Sequence, residues 1–205
     1  MNRRLAALLV PVLLAAAGCT AGAEEKEPGP SARQKAAANR PSPFQDCAAL
    51  GTPPASAPSA SPSGGEALPE LTLECFTGGA PVALRDVRGP AVINVWASWC
   101  PPCRKELPAF QRLSDRAAGQ FRVVGVNSGD SREAAQSMGE DFGVRFPVLI
   151  DQGEGLKREL NRKGIPLTVL VDAQGHVRHI DSTGALDDAR LTELVRQHLG
   201  VTVPA

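Results

Sequence analysis

Ala91-Val-Ile-Asn-Val-Trp-Ala-Ser-Trp-Cys-Pro-Pro-Cys-Arg-Lys-Glu-Leu-Pro108 joins an apolar run to a charged, helix-like stretch through two cysteines two residues apart. Ala91 to Trp96 is apolar except at Asn94, the pattern of a strand buried on both faces. Pro102 to about Ala117 reads as a helix, and Pro108 inside it, lacking an N–H, should kink it. A strand that hands over to a helix at this point puts Cys100 at a helix N-terminus, where the amides and the positive end of the dipole favour a thiolate. Pro101 and Pro102 offer no N–H, so the first backbone donor able to reach the Cys100 sulfur is that of Cys103. Cysteines at this spacing close a disulfide across the first helical turn at little conformational cost, so the pair carries two electrons. Cys100 is the expected nucleophile and Cys103 the resolving thiol.

Outward from this stretch, apolar runs alternate with helix-like ones. Leu71 to Phe76 and Pro81 to Leu84 read as strands of a hairpin around Gly78-Gly79. Phe121 to Asn127 is a strand, Ser131 to Phe142 a helix capped by Ser131 or Asp130, Phe146 to Asp151 a strand, and Gly155 to Asn161 a short helix. Leu167 to Asp172 and His176 to Asp181 flank a turn at Ala173-Gln174-Gly175, and Asp187 to Leu199 closes the chain as an amphipathic helix. The implied fold class is α/β, a mixed sheet with helices on both faces.

The N-terminal third is different. Met1 to about Gly18 has a basic start at Arg3 and Arg4, an apolar run from Leu5 to Ala17 and small residues before Cys19, which reads as a signal peptide too short to span a membrane. Thr20 to about Leu68 is rich in Ala, Pro, Ser, Gly and Glu, without an apolar period, and reads as an extended tether. The expected division is residues 1–18 signal peptide, 19–67 tether and 68–205 folded domain. Lys plus Arg and Asp plus Glu each number 22, so no basic excess favours a nucleic-acid partner.

Leu14-Ala-Ala-Ala-Gly-Cys19 resembles the lipobox of bacterial lipoproteins, which implies lipidation at Cys19. Ala16 departs from the usual leucine, and plain secretion or an uncleaved anchor are the competing readings. Val95 to Pro108 resembles the active-site stretch of the TlpA and ResA-like proteins of the thioredoxin superfamily. The resemblance spans about Leu68 to Leu199 and implies a thioredoxin-like fold with an N-terminal β-hairpin and a central αβ insertion over Ser131 to Asp151. It also implies a cis-proline loop at Gly164-Ile165-Pro166-Leu167-Thr168, with Pro166 cis and the Ile165 backbone pairing with an extended substrate.

Where thioredoxin carries a buried Asp, this chain has Asn94. In ResA-like proteins a Glu after the motif is the proposed proton relay, and Glu106 holds that position, one helical turn beyond Cys103. A solvated Arg104-Lys105-Glu106 face is the competing reading. Trp99 is expected to flank an exposed sulfur at the surface, with Pro101 and Pro102 beside it in the substrate-binding tip, whereas Trp96 is a packing residue.

Five cysteines less Cys19 and the active pair leave Cys47 and Cys75. A structural disulfide between them is the economical pairing in an oxidising compartment, against an electron relay with Cys100 and Cys103 or free thiols. No four-ligand zinc spacing is present, since His176 and His179 fall on opposite sides of a strand. Neither metal nor organic cofactor is implied. The expected protein is a membrane-tethered extracytoplasmic thiol-disulfide oxidoreductase. By resemblance its partners are disulfide-containing proteins, apocytochrome c among them, and a transmembrane thiol electron donor. A disulfide-forming oxidant, a peroxiredoxin-like peroxidase and a Sco-type copper chaperone are the alternatives.

Overall fold

The computed structural model describes residues 40–57 and 64–204. Its strands are β1 (Thr72–Cys75), β2 (Val82–Ala83), β3 (Ala91–Trp96), β4 (Arg122–Ser128), β5 (Val148–Asp151), β6 (Leu167–Val171) and β7 (Val177–Asp181). Its helices are α1 (Pro101–Asp115), α2 (Arg132–Asp141), α3 (Gly155–Glu159) and α4 (Asp188–Leu199). The expected signal peptide, residues 1–18, and the expected lipidation residue Cys19 lie outside the described residues. No helix among the described residues is long and apolar enough to cross a membrane.

One mixed sheet runs in the order β2-β1-β5-β4-β3-β6-β7. β3, β4 and β5 are parallel, with β4 and β5 each reached through a helix, while β6 pairs antiparallel with β3 and β7 with β6. β1 pairs antiparallel with β2 and with β5, so the N-terminal hairpin extends the sheet at the inserted strand. This is the arrangement that the thioredoxin resemblance implies.

Period-two alternation along β3 divides the core. Val92 and Trp96 pack with Leu107, Phe110 and Leu113 of α1 and with Leu191 and Val195 of α4. Ala91, Ile93 and Val95 pack on the opposite face, with Val124, Val126, Leu156 and Val169. Asn94 shares the side of Val92 and Trp96, which aims a polar side chain at α1. The helices end where their sequences supply caps. Ser131 Oγ accepts from Ala134 N–H at 3.2 Å, Asp187 from Arg190 N–H at 2.8 Å, and Gly200 takes the left-handed conformation after α4. α1 continues through Pro108, leaving the Arg104 carbonyl without its usual donor.

Residues 40–57 correct the expected tether boundary, because this part of the segment packs on the domain. Phe44 is buried in one core cluster, and Cys47 and Leu50 in the other. Phe44 stacks edge-on against Phe76 with centroids 4.7 Å apart, and it fits because residue 139 is glycine: a Cβ there would lie 2.4 Å from Phe44 Cζ. Arg122 donates to the carbonyls of Ala49 and Thr52, each at 2.5 Å. Three apolar anchors at intervals of three residues make no sustained period, so composition alone reads this segment as unfolded.

Cys47 and Cys75 are bonded, which fastens the segment to β1. Replacing both by alanine is expected to cost about 3–4 kcal/mol in the chain-entropy account for a separation of 28 residues. Urea unfolding of the parent and the double variant measures the loss. A difference below about 1 kcal/mol would mean that packing of Phe44 and Leu50 already holds the segment without the bond.

Candidate functional site

β3 ends at Trp96, and the turn Ala97-Ser98-Trp99 delivers Cys100 as the N-cap of α1. This turn is held from the neighbouring strand. Asp130, buried just after β4, accepts from Ser98 N–H at 2.6 Å and Ser98 Oγ–H at 2.7 Å, and also from Asn127 Nδ2 at 2.9 Å and Ser131 N–H at 2.8 Å. The Trp99 indole N–H donates to the Gly129 carbonyl at 2.9 Å while its ring stays 56% exposed. The sequence reading named Asp130 only as a possible cap. Its wider role had a signal: β3 and β4 are parallel neighbours, so a polar run after β4 falls beside whatever follows β3.

Cys100 and Cys103 are bonded to each other, and Cys103 N–H donates to Cys100 Sγ at 3.2 Å, the donor expected after two prolines. When the bond opens, that N–H and the positive end of α1 face the Cys100 thiolate and favour it. The expected exposed sulfur is not found in this oxidised form, because Cys100 is 2% exposed and Cys103 fully buried. Cys100 belongs to a buried cluster against which the partly buried Ile165 packs. Access is therefore through the edge of Cys100, and Cys103 is shielded from any outside disulfide.

The Ile165-Pro166 bond is cis, as expected, and so is Gly89-Pro90, which no residue pattern singled out. Ile165 and Pro166 line a cleft of about 560 Å³ with Pro102 and with Ser182 to Gly184 of the loop between β7 and α4. Trp99 and Pro101 line a second cleft of about 610 Å³ with Arg104, Lys105 and Phe142. The two clefts lie on either side of the Cys-Pro-Pro-Cys turn, and the loop 182–184 is a wall that the sequence did not reveal.

Glu106 is not part of a solvated face. Arg104 and Lys105 are exposed, but Glu106 is fully buried. Its Oε1 accepts from Asn94 Nδ2 at 2.7 Å and its Oε2 from Leu186 N–H at 3.1 Å. Burial pushes the carboxyl up to about 7; the hydrogen bonds from Asn94 and Leu186 oppose the rise, and Asp181 adds to it. A group poised there exchanges protons readily at neutral pH, as a general base for a thiol requires. Asn94 thus serves as the partner of an acid that α1 brings to it.

A family model described as the AhpC/TSA family matches residues 65–180. Thioredoxin-like protein YneN of Bacillus subtilis is 32% identical over 120 residues, covering 57% of this chain and 69% of that protein. Thiol-disulfide oxidoreductase ResA of Bacillus subtilis is 31% identical over 131 residues, covering 63% of this chain and 72% of that protein. Among solved structures, a secreted thiol-disulfide isomerase from Corynebacterium glutamicum superposes with a TM-score of 0.56 at 25% identity, over 65% of this chain and 83% of that one.

Proposed function

The chain belongs to the AhpC/TSA family of thioredoxin-like proteins, and from that premise we propose that it is an extracytoplasmic thiol-disulfide oxidoreductase, tethered to the membrane through Cys19, that reduces disulfides of protein substrates. Its activity is thiol-disulfide exchange, the activity named for its relative ResA. The observation that carries the reading is the Cys100–Cys103 pair at the start of α1, with Cys103 N–H on the Cys100 sulfur and the cis Pro166 loop beside it.

In the reduced protein the Cys100 thiolate attacks one sulfur of the substrate disulfide. That bond breaks, the departing substrate thiolate takes a proton, and a mixed disulfide remains on Cys100. Glu106 takes the proton of Cys103, whose thiolate attacks the Cys100 sulfur and expels the second substrate thiolate. The substrate gains two electrons and two protons, and the protein is left with the Cys100–Cys103 disulfide. A transmembrane thiol protein is the proposed donor that restores the dithiol, and apocytochrome c is one candidate substrate by family resemblance.

The test is a membrane fractionation followed by a redox titration. The full chain is expected with the membranes and its Cys19→Ala variant in the soluble extracytoplasmic fraction. The Cys100–Cys103 couple of the purified protein is then equilibrated with dithiothreitol and glutathione buffers. A value near about −270 mV is expected of a reductant, whereas one near about −120 mV would make the protein an oxidant that forms disulfides.

A further inference from the structure

The surface around the dithiol is charged in one sense. Arg104 and Lys105 line the cleft on the Pro101 side, and Arg162 and Lys163 line the cleft on the Pro102 side. All four are exposed, and no Asp or Glu lines either cleft. Elsewhere Arg112 and Arg116 face Asp188, Arg190 faces Asp181 and Arg196 faces Glu193, while Arg122, Arg132, Arg145 and Arg158 donate to backbone carbonyls. None of the four beside the dithiol has an ion-pair partner among the described residues. In a chain whose charges sum to zero, this sets four exposed cations without an ion pair beside the place where a partner's disulfide must arrive.

We infer that the protein segment received across the dithiol carries carboxylates on both sides of its disulfide. This rests on the exchange reading of the site. A segment lying along Ile165 and Pro166 would reach Arg162 and Lys163 at one end and Arg104 and Lys105, beside the exposed Trp99, at the other. Charges at such a rim act mainly on the rate of encounter and on the choice between partners, so specificity is where the effect shows.

Three peptide disulfides identical except for Glu, Gln or Lys flanking the cysteines test it. Each is reduced by one equivalent of the reduced full chain in a single turnover, and each rate is divided by that with dithiothreitol, whose thiolate has no cationic surface around it and so corrects for the peptide's own reactivity. The Glu peptide is expected to exceed the Lys peptide by about tenfold or more at low ionic strength, with the ratio approaching one at about 1 M salt, where screening acts within about 3 Å. In the Arg162→Gln/Lys163→Gln variant the same ratio is expected to shrink, whatever happens to the rates themselves.

Equal normalised rates, a preference for Lys or a preference that salt does not alter would overturn the inference while reduction of the Gln peptide keeps the exchange reading standing. If none of the three peptides is reduced, the exchange reading itself fails. Parity among the peptides together with sedimentation of the protein by phosphatidylglycerol vesicles, and not by phosphatidylcholine ones, would assign the patch to a lipid surface instead.

Discussion

In the Cys103→Ser variant of the full chain, substrate is expected to accumulate as a one-to-one mixed disulfide on Cys100. The first step needs only the Cys100 thiolate, the α1 N-terminus and the N–H of residue 103, which serine retains. The second step loses its nucleophile. Effective molarities of well-placed intramolecular partners reach about 10⁵ M or more, so an external thiol at about 1 mM should release product at least about a thousandfold more slowly. Intact mass and peptide mapping read the adduct. The Cys100→Ser variant is expected to form none, because Cys103 is fully buried beneath the turn. An adduct on Cys103 in that variant would reverse the assignment of roles. Release at the parent rate from Cys103→Ser would show that another thiol resolves the intermediate.

Most of the architecture is legible in the chain because it is written in local patterns. The apolar run at β3, the Gly between β6 and β7 and the Ser131 and Asp187 caps each act over a few residues, and each element lies close to its expected place. The dithiol, its N–H donor and the cis Pro166 were readable for the same reason, with family resemblance supplying the loop. What stayed hidden depends on residues far apart in the chain. Family resemblance singles out Glu106, but its full burial shows only when Leu186, 80 residues later, donates to it. Asp130 reaches Ser98 across 32 residues, and Arg122 reaches Ala49 across 73. Phe44 looks isolated in a polar segment until the space above Gly139 is known. Long-range closure of this kind turns surface-like residues into core ones, and no period in the sequence records it.

Replacing Glu106 by glutamine is expected to make the protein more stable at high pH and slower in turnover. The carboxyl titrates at about 7 in the folded protein against 4.5 in the open chain. Between those values the native state holds a proton that the unfolded chain has released, so stability falls as pH rises through that window and is fully kept below it. The loss above pH 7 amounts to about 3 kcal/mol. Glutamine removes this titration and keeps the local bonding. Its oxygen accepts from Leu186 N–H, and its amide donates to Asn94 Oδ1 after a half-turn of the Asn94 side chain, an atom now buried without a partner. Urea unfolding should therefore place the variant about 2 kcal/mol above the parent at pH 8, with the gap closing towards pH 4. Attack by Cys100 should be little changed, whereas resolution by Cys103 should slow by about a hundredfold and lose its inflection near pH 7. The two readouts separate the roles of the residue. Gain in stability with unchanged resolution would leave Glu106 as a buried acid that serves packing alone, and slowed resolution without the gain would mean that its carboxyl is not raised by burial. Both effects together identify a group whose strain in the folded state is the condition for taking the Cys103 proton.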